Sequence, residues 1–351
     1  MKEQRQRIDE IDAKLAALLQ ERAALAQQIG ALKATDNKAA FDPAREAAVL
    51  RGIAQTPGAL APPQLRRVFT EIISACRALE QPLRVAYMGP EHTFSHVAAL
   101  QACGAQAEFT PVATVTEVFR RVEAELAQVG VVPVENSTGG VVPETLDCLL
   151  EGELKICAEL LVPIHLAVMS PVALGEVRTL YTHFQPLSQC RQWVAEHLPG
   201  VEVKIASSTS AAAQQAAAET ASAALAPLGA AAAYGLEVLA MNVEDVPSNR
   251  TRFFLVAARE AERTGRDKTS LVFSTAHRPG ALHEGMGAFA EHQLNLTLIQ
   301  SRPSRGQLWQ YVFYVDFDGH HQDAHVQAAL AALREHCALL KVLGSYPADD
   351  G

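Results

Sequence analysis

Gly130 to Asp147 reads GVVPVENSTGGVVPETLD, and this stretch decides the fold of most of the chain. Gly130-Val131-Val132-Pro133-Val134 is a short apolar run bounded by turn residues, the pattern of a buried strand, and Pro133 places it near a sheet edge or at a strand end. Glu135-Asn136-Ser137-Thr138 stands where that strand stops. In open α/β sheets ligands sit beyond the carboxyl ends of strands, and a following helix offers free N–H groups to an anion. Gly139-Gly140 lets backbone approach a ligand closely, and Pro143-Glu144-Thr145 is a helix first turn. Spacing alone fits a capped strand-to-helix loop without ligand equally well.

The surrounding chain has 351 residues, long enough for two or three domains, and its 49% apolar content supplies their cores. A net charge of −9 argues against nucleic acid or an acidic membrane surface as partner. The opening MKEQRQRIDE has no apolar signal region, and no later run is long and apolar enough to span a bilayer, so a cytoplasmic protein is expected. Cys76, Cys103, Cys148, Cys157, Cys190 and Cys337 are scattered without a C-x-x-C pair. Neither a zinc site nor a disulfide framework is indicated, and reduced, mostly buried thiols are expected.

Upstream, Ile8, Ile11, Leu15, Leu18, Leu19, Leu25, Ile29 and Leu32 recur at helical spacing with no proline between them. A helix over Gln4 to Leu32 is roughly 40 Å long at ~1.5 Å per residue, more than a small domain covers, so a partner chain is the simplest cover. Arg22 and Lys33 lie about three turns apart and share a face that overlaps the apolar stripe, which calls for an anion there. Arg5 points roughly a quarter turn away from Arg22 and more easily serves the partner. A second helix starts at Pro43 with Asp42 as N-cap and Arg45-Glu46 in its first turns; a third runs from Gln64 to Glu80.

The run R-I-D-E-I-D-A-K-L-A-A-L-L-Q-E-R-A-A-L-A-Q-Q-I-G-A-L-K, then D-P-A-R-E, then V-F-T-E-I-I-S-A-C-R-A-L-E resembles the all-helical chorismate mutase family over residues 1–81. The resemblance implies an intertwined dimer in which Arg22, Lys33, Arg45 and Glu46 of one chain and Arg5 of the other surround a dicarboxylate, with Asp42, Cys76 and Glu80 also at site positions. Chorismate rearranges in one unimolecular step, so the protein holds the compact conformer and stabilises charge on the breaking ether oxygen. Lys33 is the candidate for that oxygen, assisted by Glu80. Relatives carry Gln at this last position, and Glu80 has to be protonated to donate. Cys76 stands where some relatives carry Ser.

After Gln81-Pro82 the pattern changes to short strands alternating with helices. Leu83 to Met88, Phe109 to Val112, Ile156 to Leu161, Ile164 to Val168, Leu180 to His183, Val201 to Ile205 and Ala223 to Ala226 read as strands; Val115 to Leu126 and Leu228 to Leu239 read as helices. Three strand-to-helix junctions present hydroxyls and amides, a natural seat for a small anion between two lobes. GPEHTFSHVA, VPVENSTGGVVPETLD, YTHFQPLSQC, SSTSAAA, YGLEVL and the Asn-Arg-Thr-Arg-Phe segment then resemble prephenate dehydratase, in order and rough spacing, over residues 83–258. That resemblance implies a two-lobed α/β domain like that of periplasmic binding proteins. It implies Thr251 as donor to the leaving hydroxyl, with Glu135, Asn136, Ser137, Thr182, Gln189 and Arg252 around the substrate. Ser207, Ser208 and Thr209 at a helix start hold a carboxylate, and no metal or cofactor is needed. His92 stands where relatives have Gly, and Phe184 where Pro is common.

Past a charged linker, Arg259 to Lys268, residues 269–348 show strand, helix, strand, strand, helix, strand, including a strand from Trp309 to Phe317. This βαββαβ order suits an α+β ferredoxin-like sandwich. It resembles the ACT regulatory domain, which implies a phenylalanine site at Gly280-Ala281-Leu282 and at Gln300-Ser301-Arg302-Pro303, with Gln300 replacing the usual Glu. The whole chain resembles the bifunctional enzymes that convert chorismate to prephenate and prephenate to phenylpyruvate under phenylalanine control, as a homodimer or larger assembly. Two other readings are a non-catalytic amino-acid sensor and a dehydratase with an inactive mutase front.

Overall fold

The structure, a computed structural model, describes residues 1–35, 40–303 and 311–349. Three helices come first: α1 (Lys2–Thr35), α2 (Pro43–Ala54) and α3 (Pro62–Glu80). α2 begins as its sequence dictates, with Asp42 accepting the Arg45 N–H at 2.9 Å and Pro43 in the first turn. α1 meets α3 at Gly30, where a Cβ would lie 2.8 Å from Glu80 Cγ; glycine is what lets the helices close. The remaining apolar stripe of α1 stays open in a single chain, with Leu18 60% and Leu32 66% exposed.

The first α/β lobe contains β1 (Arg84–Met88), α4 (Phe94–Cys103), β2 (Glu108–Val112), α5 (Val115–Glu123), β3 (Val129–Asn136), β4 (Gly140–Val141), α6 (Pro143–Glu151) and β5 (Lys155–Pro163). The chain crosses into a second lobe with β6 (Leu166–Ser170), β7 (Thr179–Thr182), α7 (Phe184–Gln189), α8 (Arg191–His197), β8 (Glu202–Ile205), α9 (Thr209–Ala218), β9 (Ser222–Pro227), α10 (Gly229–Tyr234) and β10 (Glu237–Met241). It then returns to the first lobe as β11 (Arg250–Ala257). The sheet orders are β2-β1-β3-β11-β5 and β10-β6-β9-β7-β8, each with parallel and antiparallel neighbours. The two crossings bring the end of β3 in the first lobe opposite α7 of the second, and Gln189 reaches Asn136 across the cleft between them at 3.4 Å.

Two expectations are corrected here. Pro133 lies in β3, an interior strand; it is tolerated because β1 pairs only with Val129 to Val131 and the β11 register shifts beside it. The helix expected over Leu228 to Leu239 stops at Tyr234, since Gly235 turns left-handed at φ 66 and residues 237–241 join the sheet as β10.

The last unit is β12 (Asp267–Thr275), α11 (Ala281–Glu291), β13 (Leu296–Pro303), β14 (Tyr311–Asp318), α12 (Ala324–Glu335) and β15 (Cys337–Pro347). Its antiparallel sheet runs β13-β14-β12-β15 and carries two helices, a ferredoxin-like sandwich. Trp309, expected in β14, lies outside the described residues. This sheet packs directly on the first lobe. Val272, Tyr314, Leu343 and Tyr346 share one core with Ile156 and Phe254, and a Cβ at Gly344 would meet Ile156 O at 2.2 Å. All six cysteines are free, four of them buried.

Candidate active sites

β3 and β11 run side by side so that Asn136 faces Thr251 across the ladder. The Asn136 side chain, buried at the strand end, collects the cleft around itself. Its Nδ2 donates to Thr251 Oγ1 at 2.9 Å and to Asn249 Oδ1 at 2.9 Å. Its Oδ1 accepts from Thr138 Oγ1 at 2.7 Å, Gly139 N at 2.8 Å and, from the opposite lobe, Gln189 Nε2 at 3.4 Å. Because the amide nitrogen is the donor to Thr251, the threonine proton is not used on Asn136, and no described residue accepts it. The hydroxyl is thereby held as a donor toward the cleft. Ser137 completes the turn, its Oγ donating to Asn249 Oδ1 at 3.1 Å and accepting the Arg250 N–H at 3.0 Å.

From the second lobe, Ser208 caps α9 by accepting the Ala211 N–H at 3.0 Å, leaving the first turn's N–H groups directed outward beside exposed Ser207 and buried Thr209. Tyr234 OH lies 2.6 Å from Ser210 Oγ in the same turn. His92 reaches that tyrosine from the first lobe, ring to ring at 6.1 Å. Its backbone sits at φ 64, which explains why glycine suits the position, and His96 Nδ1 accepts its N–H at 3.1 Å. Burial lowers the His96 pKa.

Two residues expected around the substrate face elsewhere. Side chains alternate along a strand, so Arg252 projects from the face opposite Thr251. It lies buried among Glu159 (Nε to Oε2, 2.8 Å), Asp316 and Tyr346 OH (2.9 Å). Burial opposes its charge, but Tyr346, Asp316 and Glu159 outweigh that and raise its pKa. Thr182 is fully buried, its Oγ1 donating to His183 O at 3.1 Å inside the second lobe. Glu135 pairs by backbone with Val141 and Arg252 beside the cleft cluster.

In the helical front, Lys33 Nζ donates to Ala40 O at 3.0 Å and approaches Glu80 Oε2 at 3.5 Å, so the two residues expected at the ether oxygen are neighbours. Cys76 is buried on α3. Asp42 uses its carboxylate as N-cap. Glu46 is taken by Arg77, whose guanidinium also donates to Cys103 O on α4 and lies over the Phe41 ring at 5.3 Å. Burial raises the Glu46 pKa against the pull of Arg77. Arg5, Arg22 and Arg45 form no ion pair with any described residue.

Three family models match successive segments of the chain. Chorismate mutase type II matches residues 4–81, prephenate dehydratase residues 85–261 and the ACT domain residues 269–335. The bifunctional chorismate mutase/prephenate dehydratase of Aquifex aeolicus (strain VF5) is 42% identical, covering 99% of this chain and 98% of that one. The chain belongs to the bifunctional chorismate mutase/prephenate dehydratase family. The Stutzerimonas stutzeri protein of that name is 44% identical over 99% of this chain and 97% of its own. A crystal structure of prephenate dehydratase from Arthrobacter aurescens in complex with L-Phe superposes with a TM-score of 0.71 at 40% identity, covering 76% of this chain and 90% of that one. The chain is thus an enzyme with both activities.

Within this mutase/dehydratase the ACT-like sheet presents Gln300-Ser301-Arg302-Pro303 on its outer strand β13, and Gly280 (φ 82) caps α11 ahead of buried Ala281 and part-buried Leu282. Gln300 Nε2 donates to Ser301 O at 3.0 Å. Arg302 does not stay within its own sheet: its guanidinium stands 3.0 Å from Asp147 Oδ1 on α6. Sequence reading overlooked Asn249, Thr138 and Arg77. Asn249 precedes Thr251 by two, the spacing that puts two side chains on one face of an extended segment, a signal present in the sequence. Arg77 has no such signal, because its partner Glu46 comes from another helix. Among the described residues no cluster of His, Cys, Asp or Glu is arranged to hold a metal, and no helix is long and apolar enough to cross a membrane.

Proposed function

We propose that this chain rearranges chorismate to prephenate in its helical front, at residues 1–81, and converts prephenate to phenylpyruvate in the two-lobed cleft of residues 83–258. Phenylalanine acts at residues 269–348. The observation that carries the cleft assignment is the Asn136 to Thr251 hydrogen bond, whose direction keeps the threonine proton for the substrate. Loss of the ring carboxylate as carbon dioxide sends its bonding electrons into the ring as the C–O bond breaks, and the departing hydroxyl takes up one proton from solvent to leave as water. Thr251 donates a hydrogen bond to that hydroxyl, and the free N–H groups of α9 with Ser207, Ser208 and Thr209 receive a carboxylate. Asn136, Ser137, Gln189 and Glu135 shape the cleft; Arg252 and Thr182 act from behind it.

The front works as a homodimer. Its cations Arg22, Lys33 and Arg45 and the partner's helix, which supplies the counterpart of Arg5, enclose the dicarboxylate, while the exposed stripe of α1 becomes the seam. Lys33 and Glu80 bracket the ether oxygen. Free, largely buried thiols suit the reducing cytoplasm. Incubation of purified protein with chorismate, following chorismate, prephenate and phenylpyruvate separately, tests both halves: accumulation of prephenate alone removes the cleft assignment, and no consumption of chorismate removes the front.

A further inference from the structure

We propose that α6 is the lever by which an amino acid bound at Gln300–Pro303 alters the dehydratase cleft, and that Arg302 is the group that changes partners. This rests on the reading of that motif as a phenylalanine site. The sheet of the last unit grips α6 with the two strands that carry or face the motif. Arg302 on β13 donates to Pro143 O and pairs with Asp147 Oδ1 at 3.0 Å. Tyr314 on β14, register partner of Gln300, is buried and donates from its hydroxyl to Leu146 O at 2.9 Å. Both grips fall on the first turns of the helix that begins where the Asn136 loop ends.

The other side of α6 is bonded to the catalytic strand. Thr145 Oγ1 donates to Pro133 O at 2.5 Å, and the Val142 N–H, just ahead of the helix, donates to Val134 O at 2.7 Å. Asn136 lies two residues beyond. Hydrogen bonds and one ion pair therefore connect Arg302 and Tyr314, through α6, to the strand whose end carries the side chain that orients Thr251. A coupling route also needs an element with two arrangements that the ligand distinguishes. Arg302 provides it, because the carboxylate of an amino acid offers a guanidinium the same forked partner that Asp147 offers. In one arrangement Arg302 holds Asp147 and α6 is clasped, the state of this structure; in the other Arg302 holds the effector carboxylate and α6 is released. The clasped arrangement is the active one, and the effector is an amino acid with a free carboxylate.

The test is Asp147→Asn in the full-length enzyme, which removes the competitor of the effector while leaving its motif intact. Relative to the unaltered protein, L-phenylalanine measured by calorimetry binds more tightly, by roughly fivefold or more, as reciprocal coupling requires. The dehydratase rate without phenylalanine falls toward the inhibited rate, the further loss on adding phenylalanine shrinks at least about fivefold, and mutase turnover on the same chain is unchanged. If the unaltered enzyme binds no L-phenylalanine at millimolar concentration, the effector reading and this proposal both fall. If it binds and is inhibited, but Asp147→Asn behaves identically, the lever is wrong and the effector site stands. Should Asp147→Asn lose mutase turnover as well, Tyr314→Phe decides. That variant removes one hydroxyl from the second grip on the clasped state, so it must shift the enzyme the same way by less: tighter phenylalanine binding, a lower dehydratase rate without phenylalanine and a smaller further loss on adding it; binding and inhibition equal to those of the unaltered enzyme overturn the proposal.

Discussion

In the dehydratase cleft Asn136, Gln189, Asn249 and Thr251 are already bonded into one cluster within a single chain, whereas the helical front leaves Arg5, Arg22 and Arg45 without an ion pair among the described residues and the stripe of α1 in water. The difference separates two ways of assembling a site for a small dicarboxylic acid. The cleft needs only two lobes of one chain, and its donors are neutral amides, hydroxyls and helix N–H groups. The front has Arg5, Arg22 and Lys33 along a helix whose apolar stripe no core of the same chain covers, and under the proposed function a second copy supplies the cover and completes the ring of charge.

The largest effect should come from breaking the self-contained site. Thr251→Ala is expected to lower dehydratase turnover by roughly 10²-fold to 10³-fold, the range for removal of one preorganised donor, with mutase turnover on the same protein as an internal control. Comparable turnover of both activities would remove Thr251 from its role. Breaking the shared site should do the reverse. Leu18→Glu puts a charge into the seam of α1 and is expected to shift the protein toward monomer in sedimentation and to lower mutase turnover by about tenfold or more, with the cleft still active. If the variant stays dimeric with full mutase activity, the seam lies elsewhere.

A smaller effect refines the same contrast at the crossing that closes α1 onto α3 within a chain. Replacing a helical glycine by alanine ordinarily stabilises a helix by about 1 kcal/mol. At Gly30 the new methyl would meet Glu80 Cγ at 2.8 Å and Cβ at 2.9 Å, and overpacking of this kind costs about 1–3 kcal/mol. Gly30→Ala should therefore push α1 from α3, part Lys33 from Glu80 and reduce mutase turnover severalfold, while dehydratase turnover holds. A gain in stability with full mutase activity would show that Glu80 moves freely.

Much of this was legible before any coordinates. The run from Gly130 to Asp147 announces strand, polar turn and helix because local propensities agree with the global fold at each step, and Asp42-Pro43 announces a helix start for the same reason. What escaped was non-local. Arg77 meets Glu46 and Cys103 O, Arg302 meets Asp147 and Arg252 meets Asp316, each partner drawn from a different element, and no periodicity reveals them. The direction of Arg252 was available in principle, since Asn249 and Thr251 share a face of the extended segment and residues of the other parity point away. The motif drew attention to residue types and away from alternation. Gly235 was legible too as a helix stop, but the apolar residues after it suit helix and strand alike.

The finest probe of the contrast is pH. The front, residues 1–81, contains no histidine, while the first lobe carries His96 on α4, its ring stacked on Tyr87 at 5.1 Å and its Nδ1 accepting the N–H of His92, the residue that reaches Tyr234 of the second lobe. Burial lowers the His96 pKa, Glu91 opposes the shift and His92 adds to it. The unfolded chain then takes up its proton near the ordinary value of about 6.5, before the folded chain does. In the window below that value the unfolded state binds more protons, so the stability His96 contributes is present at neutral pH and is lost as the pH falls. Protonation at Nδ1 also removes the acceptor that holds His92 in its left-handed turn. Thermal unfolding of the unaltered protein and of His96→Gln should differ most at pH 8 and converge toward pH 5, by a few degrees at most. The same acidification should leave the difference between their mutase activities at zero throughout, because nothing in the helical front titrates with that ring. A gap in melting temperature that is constant from pH 8 to pH 5 would mean that the imidazole is protonated as readily in the folded cleft as in the open chain, and the lobe contact through His92 would then have to be held by the ring pair with Tyr234 alone.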